Sequence, residues 1–116
     1  MSGTGRGGPD TGMVIAARGG DPRALDALVA DSLPLVYNIV GRALRGHADT
    51  DDVVQETLLR LVRHLADLRD PAAFRSWLVA ITIRQVRDWQ QGRRAALVSG
   101  SGAHVADELP DPGADP

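Results

Sequence analysis

The chain contains neither cysteine nor lysine, and each absence narrows what it can be. Without thiols there is no disulfide framework and no thiolate metal site. The three histidines, His47, His64 and His104, stand far apart without ligand spacing and read as solvated surface residues, so neither metal nor cofactor is expected. No apolar run approaches the roughly 18 residues of a membrane span. The Gly-rich start lacks the apolar stretch of a signal peptide, and the expectation is a cytoplasmic protein without a membrane role. Strand-like alternation with period two is missing throughout, as is any internal repeat, which leaves an all-α class.

What is present is charge segregated along the chain. The 116 residues carry a formal net charge of −2, yet the signs are unevenly spread. Residues 49–59 hold four acidic groups and no basic one, residues 60–94 hold eight Arg against three Asp, and residues 95–116 again hold four acidic groups alone. A basic block between acidic neighbours is the pattern of a chain with two kinds of partner. All thirteen basic side chains are Arg, in keeping with a GC-rich coding bias. Arg nonetheless supplies a planar donor fork suited to phosphates and base edges.

Residues 1–12 are dominated by Gly, Ser, Thr and Pro, the composition of a flexible lead-in. A short helix is expected from about Gly12 to Arg18, closed by Gly19 and Gly20. Asp21-Pro22 then starts a helix, Asp as N-cap and Pro where its missing N–H costs nothing. Pro34 predicts a break near Ser32-Leu33 and a new helix running to a stop at Gly46. Asp49 is placed as the cap of a helix reaching about Leu65, and Asp70-Pro71 repeats the cap-plus-proline signature before a last long helix. From Ala95 the composition is that of a linker or tail. The expected architecture is a compact bundle of about four helices over residues 13–94, with flexible N- and C-terminal tails.

The helix after Asp49 carries two messages. Val53, Val54, Thr57, Leu58, Leu61, Val62 and Leu65 follow the i, i+3, i+4 rhythm of a buried stripe. Asp52, Gln55, Glu56, Leu59, Arg60 and Arg63 are left facing outward, an acidic and amide face suited to docking a basic partner. Asp51, Asp52 and Glu56 carry no metal or acid/base reading, because no histidine accompanies them and no cleft is evident that would raise a carboxylate pKa. In the last helix Phe74, Trp77, Leu78, Ile81 and Gln85 or Val86 face the core, while Trp89 is open between covering the core and stacking on a base.

The run Asp51-Asp52-Val53-Val54-Gln55-Glu56-Thr57-Leu58-Leu59-Arg60, then Phe74-Arg75-Ser76-Trp77-Leu78, then Asp88 and Arg93-Arg94, resembles the second conserved region of bacterial sigma factors. The nearest likeness is to the extracytoplasmic-function (ECF) group of the sigma-70 family, whose opening is matched by Gly20-Asp21-Pro22-Arg23-Ala24-Leu25 and Pro34-Leu35-Val36-Tyr37. The resemblance covers about residues 13–94. It implies a non-enzymatic transcription initiation domain that binds the coiled-coil clamp helices of the largest RNA polymerase subunit and recognises and melts the minus-ten promoter element.

Carried over by position, Asp52, Gln55, Glu56 and Leu59 would face the clamp, with Arg60 and Arg63 at its edge. The connector of residues 66–73, with Leu68, Arg69 and Asp70, would wall a pocket for a flipped base. Arg75, Arg84, Arg87, Gln91 and Arg94 would contact promoter DNA. An anti-sigma factor is a further partner the family admits. Thr82-Ile83-Arg84 departs from the family's common Ala-Arg-Asn, which leaves promoter preference open. Nothing after Arg94 supplies a second, helix-turn-helix domain, so the expectation is either a piece of a longer chain, the favoured reading, or a naturally truncated protein. The competing reading is a helical protein-interaction module without DNA readout.

Overall fold

In the computed structural model residues 10–99 are described; residues 1–9 and 100–116, with His104, lie outside them. Four helices are present, α1 over Thr11–Arg18, α2 over Pro22–Leu44, α3 over Thr50–His64 and α4 over Phe74–Ser99. Two short 3-10 turns, Leu65–Asp67 and Pro71–Ala73, make up most of the connector between α3 and α4. Helix α1 packs on α2, and α2, α3 and α4 pack pairwise around one core. Among the described residues there is no strand.

The helix starts follow the local chemistry of their caps. The Asp10 carboxylate accepts the Met13 N–H at 2.8 Å, and Asp21 accepts the N–H groups of Arg23 and Ala24 at 3.0 and 3.4 Å with Pro22 at the first helical position. Helix α1 gives way at Gly19 and at Gly20, whose φ of 106° suits glycine. The lead-in boundary thus falls earlier than expected, since residues 10–12 already belong to α1 and its cap.

Pro34 does not divide the second helical run. Helix α2 continues through it from Pro22 to Leu44. The carbonyl that loses its donor belongs to Ala30, which lies with Pro34 on the exposed side, where solvent can satisfy it. Continuity makes α2 long and apolar enough, by length and composition, to cross a membrane. Its apolar residues have another use: Leu28, Val36, Val40 and Leu44 are buried against the other helices. Buried Ser32 satisfies its hydroxyl by donating to the Leu28 carbonyl at 2.7 Å. The helix ends at Arg45 in the left-handed region (φ 51°), one residue ahead of the expected stop at Gly46, which is itself at φ 79°.

Helix α3 buries Val53, Val54, Thr57 and Leu61, continued by Leu65. Leu58 is half-buried, and Val62, expected in the stripe, is 45% exposed. At 3.6 residues per turn Val62 lies roughly 110° from the centre of the buried set, past the edge of contact. Helix α4 buries Phe74, Leu78, Ile81, Thr82, Gln85 and Val86, with Trp77 and Trp89 half-buried against the core. From Gln90 to Val98 every residue is exposed. The helix therefore leaves the body as a solvated arm, running through Gly92 and past residue 94, where a tail was expected.

Candidate functional site

The two faces picked out by periodicity are both formed, on different helices. On α3, Asp52, Gln55, Glu56, Leu59 and Arg63 are exposed, Leu59 at 51%. Val62 lies one position round from Leu59 on the next turn, so an apolar pair sits among acid and amide groups. Beside this face the Tyr37 hydroxyl donates to the Asp51 carboxylate at 2.5 Å. That bond to an acceptor holds the phenol's proton and pushes Tyr37 above its ordinary pKa. Arg60 differs from the others, being half-buried with its Nε enclosed and unpartnered. It is turned toward α4, where it and Arg84 act electrostatically on Asp88.

On α4, Arg84, Arg87, Gln91 and Arg94 stand at i, i+3, i+7 and i+10, which puts them on one outward stripe about 15 Å long. Arg87, Gln91 and Arg94 are exposed and Arg84 is half-buried. Arg75 is exposed at the helix start but lies off this stripe, and Arg93 faces another way. The eight expected DNA-facing positions, divided among the connector, the stripe and Arg75, are thus not one surface.

The connector is more constrained than its sequence suggests. Leu68 is 6% exposed, a core residue whose side chain is not offered to a ligand, because the chain between the two 3-10 turns dips into the bundle. Arg18 Nη1 donates to the Leu68 carbonyl at 2.8 Å and to the Arg69 carbonyl at 3.2 Å, pinning the segment to the end of α1. The Asp70 carboxylate accepts the Ala72 N–H at 3.0 Å and caps the second turn, while Arg69 remains exposed.

A cluster that periodicity missed joins the start of α3 to α4. Trp89 Nε1 donates to the Asp49 carboxylate at 2.7 Å, so Asp49 sits at the N-cap position without capping through its side chain. His47 Nδ1 accepts the Asp49 N–H at 2.9 Å, and its ring meets the Trp89 ring edge-on, centroids 5.1 Å apart. Arg93 places its guanidinium carbon 5.2 Å from the Trp89 ring centroid and Nη1 at 2.7 Å from His47 Nε2. His47 is therefore an engaged, half-buried residue, contrary to the surface reading. Trp89 covers the edge of the core with one end of its ring hydrogen-bonded. The only sequence signal for any of this was the inward phase of Trp89.

Between α3 and α4 runs a cleft of about 400 Å³ lined by Asp49, Asp52, Val53, Glu56, Gln85, Asp88 and Trp89. Burial raises the Asp88 carboxyl above its ordinary pKa, with Arg84 and Arg60 pulling it back down. Among the described residues no group of three or more His, Cys, Asp or Glu side chains could hold a metal ion.

A helical body showing one acidic-apolar face and one Arg stripe has the form of an all-α domain with two chemically distinct surfaces. The comparisons narrow that class. The model of Sigma-70 region 2 matches residues 28–96. A probable RNA polymerase sigma factor, RfaY, of Xanthomonas campestris pv. campestris is 34% identical over 90 residues, covering 78% of this chain and 22% of the relative. The RNA polymerase sigma-H factor of Pseudomonas aeruginosa is 30% identical and the ECF RNA polymerase sigma-E factor of Salmonella typhimurium 32%, each over 87 residues, 73% of this chain and 45% of the relative. No solved structure gives a significant match. The chain belongs to the ECF group of the sigma-70 family, through its region 2. It spans less than half the length of these curated relatives.

Proposed function

We propose that this domain is the polymerase- and promoter-binding part of a transcription initiation factor acting in the cytoplasm, and that it works by binding without catalysing a reaction. The α3 face of Asp52, Gln55, Glu56 and Leu59 docks on the clamp helices of the largest RNA polymerase subunit, with Arg63 at its edge. Exposed carboxylates there speed encounter with a basic surface, and Leu59 with Val62 supplies the apolar centre that slows dissociation. The α4 stripe of Arg84, Arg87, Gln91 and Arg94 runs along the DNA backbone near the minus-ten element, and Arg69 and Arg75 reach the strand from the connector end. Leu68 acts through packing, holding the connector in place beneath them.

The observation that carries this reading is the segregation itself. Acid, amide and leucine occupy one helix face, and the guanidinium groups of Arg84, Arg87 and Arg94 fall on one side of another helix. A single partner of one charge would not call for both.

The test pairs a protein and a DNA measurement. Gln55→Ala with Glu56→Ala should weaken binding to core RNA polymerase at unchanged helicity. Wild type should bind single-stranded minus-ten oligonucleotides in preference to scrambled ones when polymerase is present. Polymerase binding without any DNA preference would favour the interaction module.

A further inference from the structure

Gln85, like Arg60, encloses a polar atom without a partner, and it alone of the two is buried in the core. Its side chain is 7% exposed, and its Oε1 is enclosed without a hydrogen-bond partner. A buried amide oxygen left unpaired costs about 1–3 kcal/mol. The residue lines the acidic cleft between α3 and α4. Around it are the carboxylates of Asp49, Asp52, Glu56 and Asp88, with the Val53 side chain and the Trp89 ring as apolar walls.

The charges in this recess are not neutralised from within. Asp49 accepts the Trp89 indole N–H and lies 3.8 Å from His47 Nδ1. Among the described residues no ion pair within 4 Å engages Asp52, Glu56 or Asp88. Arg60 and Arg84 act on Asp88 from a distance, and Arg60, one turn along α3 from Glu56, keeps its own Nε unpartnered. The acceptors are too dispersed for a metal ion, which draws its ligands to within about 2–2.6 Å of one point. A dispersed set of acceptors beside a flat aromatic wall fits a planar group with several divergent donors. The guanidinium has five, in a fixed plane, and is weakly hydrated; an ammonium has three at a single point.

We propose that the cleft receives one arginine side chain of the protein that docks on α3, its guanidinium donating to Gln85 Oε1 and to the carboxylates at the rim. This rests on the reading of α3 as the polymerase-docking helix and assigns that partner a specific anchor. Asp52 and Glu56 belong to both the outer face and the rim, so the arginine enters where the partner helix already lies. Its arrival satisfies the buried oxygen and offsets the desolvation borne by Asp88. Loss of either benefit would register in the bound state alone.

The test uses the full chain with Gln85→Leu, which removes the acceptor and keeps the volume. Affinity for core RNA polymerase should fall at least fivefold while thermal stability is unchanged or raised, because the variant loses an unsatisfied group. A structural role for Gln85 would instead lower stability. In a second measurement, methylguanidinium should give saturable shifts of the Gln85 side-chain amide and Trp89 indole NMR signals, with methylammonium at equal ionic strength giving none. Wild-type affinity in Gln85→Leu, or no saturable methylguanidinium shift, overturns the proposal. Gln55→Ala, outside the cleft, separates the two levels: if the wild type itself does not bind polymerase, the function reading fails, and the methylguanidinium titration alone decides the cleft.

Discussion

The indole N–H of Trp89 and the carboxylate of Asp49 are joined at 2.7 Å across forty positions of sequence, tying the exit of α4 to the entry of α3. Asp49 makes no capping bond, so its removal should cost that tie alone. Asp49→Ala is expected to lower unfolding free energy by about 1–2 kcal/mol, the range of a partly solvated bond to a charged acceptor. In a Trp77→Phe background, urea unfolding followed by Trp89 fluorescence reports it, with a red-shifted native spectrum. An unaltered midpoint would remove the bond from the account.

Leu61 and Leu59 lie two residues apart and have opposite duties. Leu61 is fully buried, and Leu61→Ala should destabilise by about 2–5 kcal/mol through lost contacts and the cavity left behind. Leu59 is half exposed, and Leu59→Ala should change stability by less than about 0.5 kcal/mol. Chemical denaturation measures both, and polymerase binding should track the second substitution and not merely the first.

Asp88 predicts a pH dependence whose sign follows from burial. Its folded-state pKa is raised, so the folded protein holds the proton more tightly than the unfolded chain. Stability from this group is present below the ordinary carboxylate range near about pH 4 and is lost as pH rises through the raised value. Asp88→Asn removes that loss. The stability of the variant relative to wild type should therefore grow with pH just above 4 and then level off, read by urea titrations at several pH values. A difference that shrinks over that interval would contradict the burial of Asp88.

The Arg residues of α4 should separate by face. Arg87→Ala and Arg94→Ala, on the outward stripe, should each reduce the slope of log affinity against log salt for single-stranded DNA by about 0.7. Arg93→Ala should leave the slope nearly unchanged and instead lower thermal stability, since Arg93 sits against Trp89 and His47. Equal slopes for all three would dissolve the stripe.

Much of the domain was legible because short-range chemistry wrote it. Asp21 and Pro22 announce a helix start through groups within three residues of themselves. The buried stripe of α3 and the outward Arg of α4 follow from a period of 3.6, and Leu59 and Arg87 are exposed for that reason. The same local logic failed where distant neighbours decided the outcome. Pro34 is tolerated because the rest of α2 is held by burial on its opposite side, and Leu68 is core because the connector turns inward under Arg18.

By its pattern of caps, apolar spacing and charge, the sequence alone determined a helical domain with one acidic and one basic display. Only tertiary packing decided that Asp49 would hold Trp89, that His47 would meet Arg93, and that Gln85, with an unpaired oxygen, would line a cleft of carboxylates. The physical reason is separation along the chain. Periodicity constrains residues three or four apart, whereas these contacts join positions about thirty to fifty apart and exist only once α3 and α4 lie side by side.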